Sequence, residues 1–161
     1  MDSPPNPASV KPPPQGIYTT RVDEKGRLKL PADFLEFLRT FPEQQYFITT
    51  LNGSTARVYN AKVWRANEKI LAEYTEDAQA AEDIAFFADY YGGVSGVDSQ
   101  GRVLIPPVLR RKLGIENQQV CVRFYNGAVD VYSEAVSEKR LQRATEALAT
   151  NLPALRKKGL K

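Results

Sequence analysis

The sequence contains no histidine, one cysteine and one methionine, and none of its apolar runs approaches the roughly 20 residues a helix needs to cross a bilayer. Each absence excludes something. Without histidine the commonest general base and the commonest metal ligand are both missing. No metal-ligand cluster, glycine-rich phosphate loop or GxSxG turn takes their place. No catalytic residue, metal ligand or cofactor is therefore assigned, and an enzyme is not expected. A carboxylate-only site is the remaining enzymatic route, but pairs such as Glu82 and Asp83 fall on the outer face expected of a linking helix. The lone Cys121, inside the run VCVRF, has no partner for an internal disulfide. That suits a reducing cytoplasm and reads as a small buried hydrophobe rather than a reactive thiol. The N-terminal MDSPPNPASVKPPPQG has neither the basic start nor the apolar stretch of a secretory signal, so a soluble, cytoplasmic protein without a membrane partner is expected.

At 161 residues and 18.0 kDa the chain is one ordinary domain or two very small units sharing a core. Its net charge of +3 is too small to argue for a nucleic-acid partner, so distribution has to decide. Acidic residues crowd the stretch from Glu68 to Asp89; basic ones gather at two glycine-arginine turns and in the terminal RKKGLK. Residues 1–16 hold six of the eleven prolines and almost nothing apolar, a composition expected to form a disordered tail.

An internal repeat organises the rest. VDEKGRLKLPADFLEFL, residues 22–38, aligns with VDSQGRVLIPPVLRRKL, residues 97–113, at a constant offset of 75, with six identities in seventeen positions where about one is expected by chance. In each copy Asp-x-x-Gly-Arg is turn chemistry: the carboxylate accepts backbone N–H groups and the glycine supplies a positive φ. A strand follows in which Leu28 and Leu30, or Val103 and Ile105, face one side while Arg27 and Arg102 face the other. Pro31 and Pro106 mark the start of a short helix, and Gly114 can cap the second one. Asn52-Gly53 and Asn126-Gly127 then signal a hairpin in each unit. A unit of strand, short helix and hairpin cannot bury a core alone, so two intertwined copies are expected to make one β-rich barrel. Residues 61–91 read as a helical connection with Trp64, Leu71, Ile84, Phe87, Ala88 and Tyr91 packing inward. A last helix over about 134–150 would turn Val136, Leu141 and Leu148 inward, leaving 151–161 as a basic tail.

VDSQGRVLIPPVLRRKLGI resembles the DNA-binding core of the AbrB/SpoVT regulators, whose swapped-hairpin barrel is built from two such units. Two copies in one chain, the Asp-to-Arg motif in both, VYNAKVW after the first hairpin and YYGGVSGVDSQGR before the second motif resemble the MraZ family more closely. The resemblance covers residues 17–145 or so; the proline-rich tail is an addition, and DIAFFADYY is apolar and acidic where that family commonly carries arginines. It implies an α+β fold: repeat 1 over 17–60, repeat 2 over 92–133, and an AbrB-like swapped-hairpin barrel between them. It also implies a transcriptional regulator of the division and cell-wall gene cluster, binding double-stranded DNA at promoter direct repeats as a homo-oligomeric ring and associated with the nucleoid.

Two roles are open to Arg27 and Arg102: reaching DNA from exposed turn tips, or pairing with Asp23 and Asp98 of their own turns. The resemblance favours DNA. Lys25, Arg21 and Lys29 would add to that surface in the first copy, and Arg110 with Arg111 in the second, while Asp23, Gly26, Asp98 and Gly101 would shape the turns. Leu104, which replaces Lys29 on the outward face, is a candidate subunit contact. A protein-interaction module of the antitoxin or peptide-binding kind is the alternative function.

Overall fold

A computed structural model describes residues 12–161; residues 1–11, most of the segment expected to be a disordered tail, lie outside the described residues. Each repeat yields four strands and a short helix. The first contributes β1 (Ile17–Val22), β2 (Arg27–Lys29), α1 (Ala32–Leu38), β3 (Tyr46–Thr49) and β4 (Ala56–Asn60). The second contributes β5 (Gly93–Ser95), β6 (Arg102–Leu104), α4 (Pro107–Leu113), β7 (Gln118–Tyr125) and β8 (Ala128–Ser133). Between them lie α2 (Ala61–Glu73) and α3 (Ala78–Tyr91), and α5 (Glu134–Arg156) closes the chain.

The strands form one antiparallel sheet in the order β5-β3-β4-β8-β7-β1-β2-β6, an α+β, nearly closed AbrB-like swapped-hairpin barrel. The first strand of each repeat leaves its own hairpin and pairs with the other one. β1 runs along β7 from Ile17↔Arg123 to Val22↔Gln118, and β5 runs along β3 from Ile48↔Gly93 to Tyr46↔Ser95. The swap follows from the pattern of apolar residues. Leu28, Leu30 and Phe34 from one repeat and Val103, Ile105 and Leu109 from the other are all buried in a single core with Ile48, Val58, Val122 and Val129.

A pseudo-twofold axis relates the halves. It passes between Leu28 and Val103, cross-strand partners that occupy the same position in their repeats, and Leu30 N–H to Gly101 O is answered by Ile105 N–H to Gly26 O. It emerges between β4 and β8, where Val58-Tyr59-Asn60 matches Val131-Tyr132-Ser133 at an offset of 73. Under that offset Arg57 and Asp130 are equivalent positions facing each other across the axis. Arg57 Nε donates to Asp130 Oδ1 at 2.7 Å, with 16% and 5% of the two side chains exposed.

Helix boundaries follow local chemistry. Pro31 and Pro106 occupy the N-cap positions of α1 and α4, and Gly114 ends α4 at φ 65°. The helical connection over 61–91 is made of two helices. Asn60 caps α2 by accepting from Lys62 N–H, and Asp77 caps α3 by accepting from Ala80 N–H. Trp64 is buried between Phe47 and Tyr59, with ring centroids 4.6 and 5.0 Å away.

Five expectations are corrected. Only Asn126-Gly127 forms a two-residue turn, with φ of 51° and 84° and Tyr125 opposite Ala128. At the first Asn-Gly the Asn52 side chain accepts from Ser54 and Thr55 N–H while Thr50 Oγ1 accepts from Gly53 N–H, so a wider loop is held open. The last helix runs on to Arg156, through Pro153 and into the stretch assigned to a basic tail. No residue of α5 is buried, and Leu141 and Leu148, expected to face inward, are exposed: the side turned to the Asn52 loop carries Val136, Arg140, Ala144 and Ala147 instead. Ile84 is likewise exposed, and Cys121 is half-buried.

The axial ion pair can be tested. Asp130→Ala should destabilise the fold by about 3 kcal/mol or more, because a largely buried guanidinium is left unpaired. Since the two positions are equivalent, combining Arg57→Asp with Asp130→Arg should recover part of that loss in urea unfolding; no recovery would contradict the symmetry.

Candidate nucleic-acid interface

The twin Asp-x-x-Gly-Arg turns are superposable in their hydrogen bonds. Asp23 Oδ1 accepts from Lys25 and Arg27 N–H at 3.0 and 2.9 Å, and Oδ2 accepts from Arg27 Nε at 2.7 Å. Asp98 Oδ1 accepts from Gln100 and Arg102 N–H, both at 2.9 Å, and Oδ2 from Arg102 Nε at 2.8 Å. Gly26 and Gly101 close the turns at φ 86° and 75°, each donating its N–H to the backbone oxygen of its aspartate. Partial burial works to raise both carboxyl groups. The bonds from the Arg27 and Arg102 backbones and guanidinium groups, aided by Lys25 and Gln100 N–H, outweigh it and hold both below the ordinary 3.8.

Pairing of β2 with β6 brings the two turns to one face. Arg27 stands opposite Leu104 and Lys29 opposite Arg102, and by strand alternation these four share the outward side while Leu28 and Val103 fill the core. Arg102 also lies 3.9 Å from Asp23, so one carboxylate serves both arginines. Lys29 Nζ reaches the Gln100 carbonyl of the opposite turn. Thr20 Oγ1 donates to Lys29 O, and at the equivalent place Ser95 Oγ accepts from Leu104 N–H, tying the pair of strands to their flanks.

The remaining candidates separate. Lys25 and Arg111 are exposed and stand beside the turns in sequence or on α4. Arg21 is exposed, but its Nη2 donates to Asn117 O and Oδ1 at 3.1 and 2.8 Å, bracing the loop before β7. Arg110 is 15% exposed: its Nε pairs with Glu116 and its Nη1 donates to Ile105 O. A Cβ on Gly26 would collide with that same Arg110 side chain, and one on Gly101 would meet Leu35 Cδ2 at 2.9 Å. Leu35 and Arg110 are equivalent at the offset of 75, so each short helix backs the turn of the other repeat. Sequence reasoning placed Arg110 with Arg111 and missed Leu35; the repeat alignment held the signal, but only the swap shows which turn each helix meets.

The twin turns on a barrel shared by two halves of one chain define a tandem AbrB-like protein. The chain is 39% identical over 106 residues to the transcriptional regulator MraZ of Acidobacterium capsulatum, covering 66% of this chain and 73% of that one. It is 37% identical over 111 residues to the MraZ protein of Koribacter versatilis, covering 68% and 76%. Against the MraZ protein of Geotalea uraniireducens it is 31% identical over 161 residues, covering 91% and 99%. The chain belongs to the MraZ family. No family model matches it.

The lowered carboxyl values set a pH window. Because the folded values lie below the unfolded one, the stabilisation is complete above the ordinary aspartate value of 3.8 and is lost as pH falls through the lowered folded value. Amide resonances of Gly26 and Gly101 followed by NMR should therefore titrate below pH 3.8, and a midpoint above it would contradict the turn geometry. Gly26→Ala and Gly101→Ala should each cost about 1–2 kcal/mol for the left-handed backbone, with the larger loss at Gly26, where Arg110 must also move.

Proposed function

We propose that this chain is a cytoplasmic, nucleoid-associated transcriptional regulator that binds double-stranded DNA at promoter direct repeats, as a homo-oligomer closed into a ring, and controls the division and cell-wall gene cluster. The observation that carries the reading is the β2·β6 pairing, which sets Lys29 against Arg102 between twin arginine turns on one outward face. Asp23 and Asp98 hold the guanidinium groups by Nε, leaving the terminal nitrogens outside those bonds. A fork oriented in advance loses little entropy when it pairs bidentately with guanine O6 and N7. Lys25, Lys29, Arg21 and Arg111 supply phosphate contacts around it, with Arg21 also bracing its loop. Arg110 backs the Gly26 turn and acts on DNA through it.

The chemistry of the face also favours direct repeats over a palindrome. Lys25, Lys29 and Glu36 of the first copy stand where the second has Gln100, Leu104 and Arg111. The backbone is nearly twofold but the side chains are not, so one copy reads an asymmetric site. Repetition of that site in one orientation matches a head-to-tail assembly.

Arg27→Ala with Arg102→Ala should weaken binding to the chain's own upstream DNA by at least about 30-fold in an anisotropy titration, since each guanine pair is worth about 1–3 kcal/mol, while circular dichroism stays unchanged. Retained binding would remove the assignment. Log K should fall steeply and linearly with log salt. Arg111→Ala should flatten that slope without moving the melting temperature, whereas Arg110→Ala should lower the melting temperature.

A further inference from the structure

Helix α5 is 23 residues long and buries none of them. Leu141, Leu148 and Leu155 recur every seven residues along one side, exposed, with Leu141 68% open to solvent. The stripe they make extends about 21 Å at 1.5 Å per residue. A helix of this kind needs a partner surface, since helical stability in proteins comes mainly from packing of an apolar face.

The internal symmetry says what that surface is. α2 and α5 are equivalent helices, each following the last strand of its repeat and capped at matching positions, Asn60 and Ser133. On α2 the face formed by Trp64, Glu68, Leu71 and Ala72 meets α3. At the same offset of 73, Glu68 corresponds to Leu141 and Leu71 to Ala144. The face of α2 that takes α3 is therefore the face that α5 leaves bare. Among the described residues no helix covers that face of α5 as α3 covers α2.

An unused α3 surface exists. Its inner side, Ala81 and Ala88, is buried, but Phe86 and Tyr90, stacked with centroids 6.5 Å apart, lie on the outer side, with Phe86 72% exposed. Glu82, Asp83 and Asp89 flank them, and no lysine or arginine occurs between Lys69 and Arg102. From Leu141 onward, by contrast, the charged side chains are Arg143, Glu146, Arg156, Lys157, Lys158 and Lys161, five basic against one acidic. One surface is aromatic and acidic, the other aliphatic and basic.

We infer that the α5 stripe of one copy seats on the outer face of α3 of the next, so that each α3 is held between its own α2 and a neighbour's α5. Like-on-like pairing across a true dyad would set acid against acid and base against base. The complementary surfaces differ and lie on the same chain, so the contact is heterologous and propagates until the rotation closes. This rests on the homo-oligomeric state proposed above and names the surfaces that build it.

The test uses two variants of the full chain, each checked for folding by circular dichroism. Leu141→Glu with Leu148→Glu disables the α5 face; Phe86→Glu with Tyr90→Glu disables the α3 face. Light scattering should show a multimer for the unaltered chain and a monomer for each variant alone. An equimolar mixture of the two variants should give a 1:1 dimer, because one intact α5 then meets one intact α3. Variants that keep the parent mass, or a mixture that stays monomeric, would overturn the assigned surfaces while leaving the homo-oligomer standing. An unaltered chain that is itself monomeric would overturn the homo-oligomer and this contact together.

Discussion

The exchange of first strands between repeats is the constraint on which the rest of the molecule depends. β1 lies on β7 and β5 on β3, so neither hairpin is complete without a strand from the other half. With three-residue β2 and β6 and seven-residue α1 and α4, a single repeat has too little apolar area to offset the entropy of ordering it. Sharing removes that difficulty, because Leu28, Leu30, Val103 and Ile105 then bury each other. The same exchange puts β2 against β6, bringing two turns 75 residues apart onto one face, and lets α1 and α4 each support the turn of the other repeat.

Much of this was legible in the residues because it depends on short-range chemistry repeated twice. Asp-x-x-Gly-Arg specifies its own hydrogen bonds, and the alternation in RLKLP and RVLIP states which side is core. The repeat offset then implies a shared barrel. What escaped was set by partners distant in sequence. Nothing near Asn52-Gly53 distinguishes it from Asn126-Gly127 until Ser54 and Thr55 N–H are seen bonded to the Asn52 side chain. The periodicity of Leu141 and Leu148 is that of a packed helix, and no local signal says whether the surface it meets lies in the same chain. Arg110 and Arg111 look interchangeable as adjacent basic residues; a rotation of about 100° along α4 turns one toward Glu116 and Gly26 and leaves the other in solvent.

Duplication within one chain also permits what two identical halves forbid. In a dimer of identical units, a residue on the twofold axis meets its own copy, and a charged one meets its like. Here the axial position holds Arg57 on one side and Asp130 on the other, so that charges which would repel between identical halves make a bond of 2.7 Å that joins the hairpins. The outward face diverged similarly, with Lys29 set against Leu104 and Glu36 against Arg111 at equivalent sites. The helices differ as well, since among the described residues α3 covers α2 and no helix covers α5 in the same way. A barrel with a nearly twofold backbone thus carries three kinds of asymmetry: in its core bond, in its exposed face and in its helices. Each gives the chain a direction. A directional unit can join copies of itself by unlike surfaces and can face a linear partner in one orientation, so the head-to-tail order proposed between chains needs no asymmetry beyond the one already inside the chain.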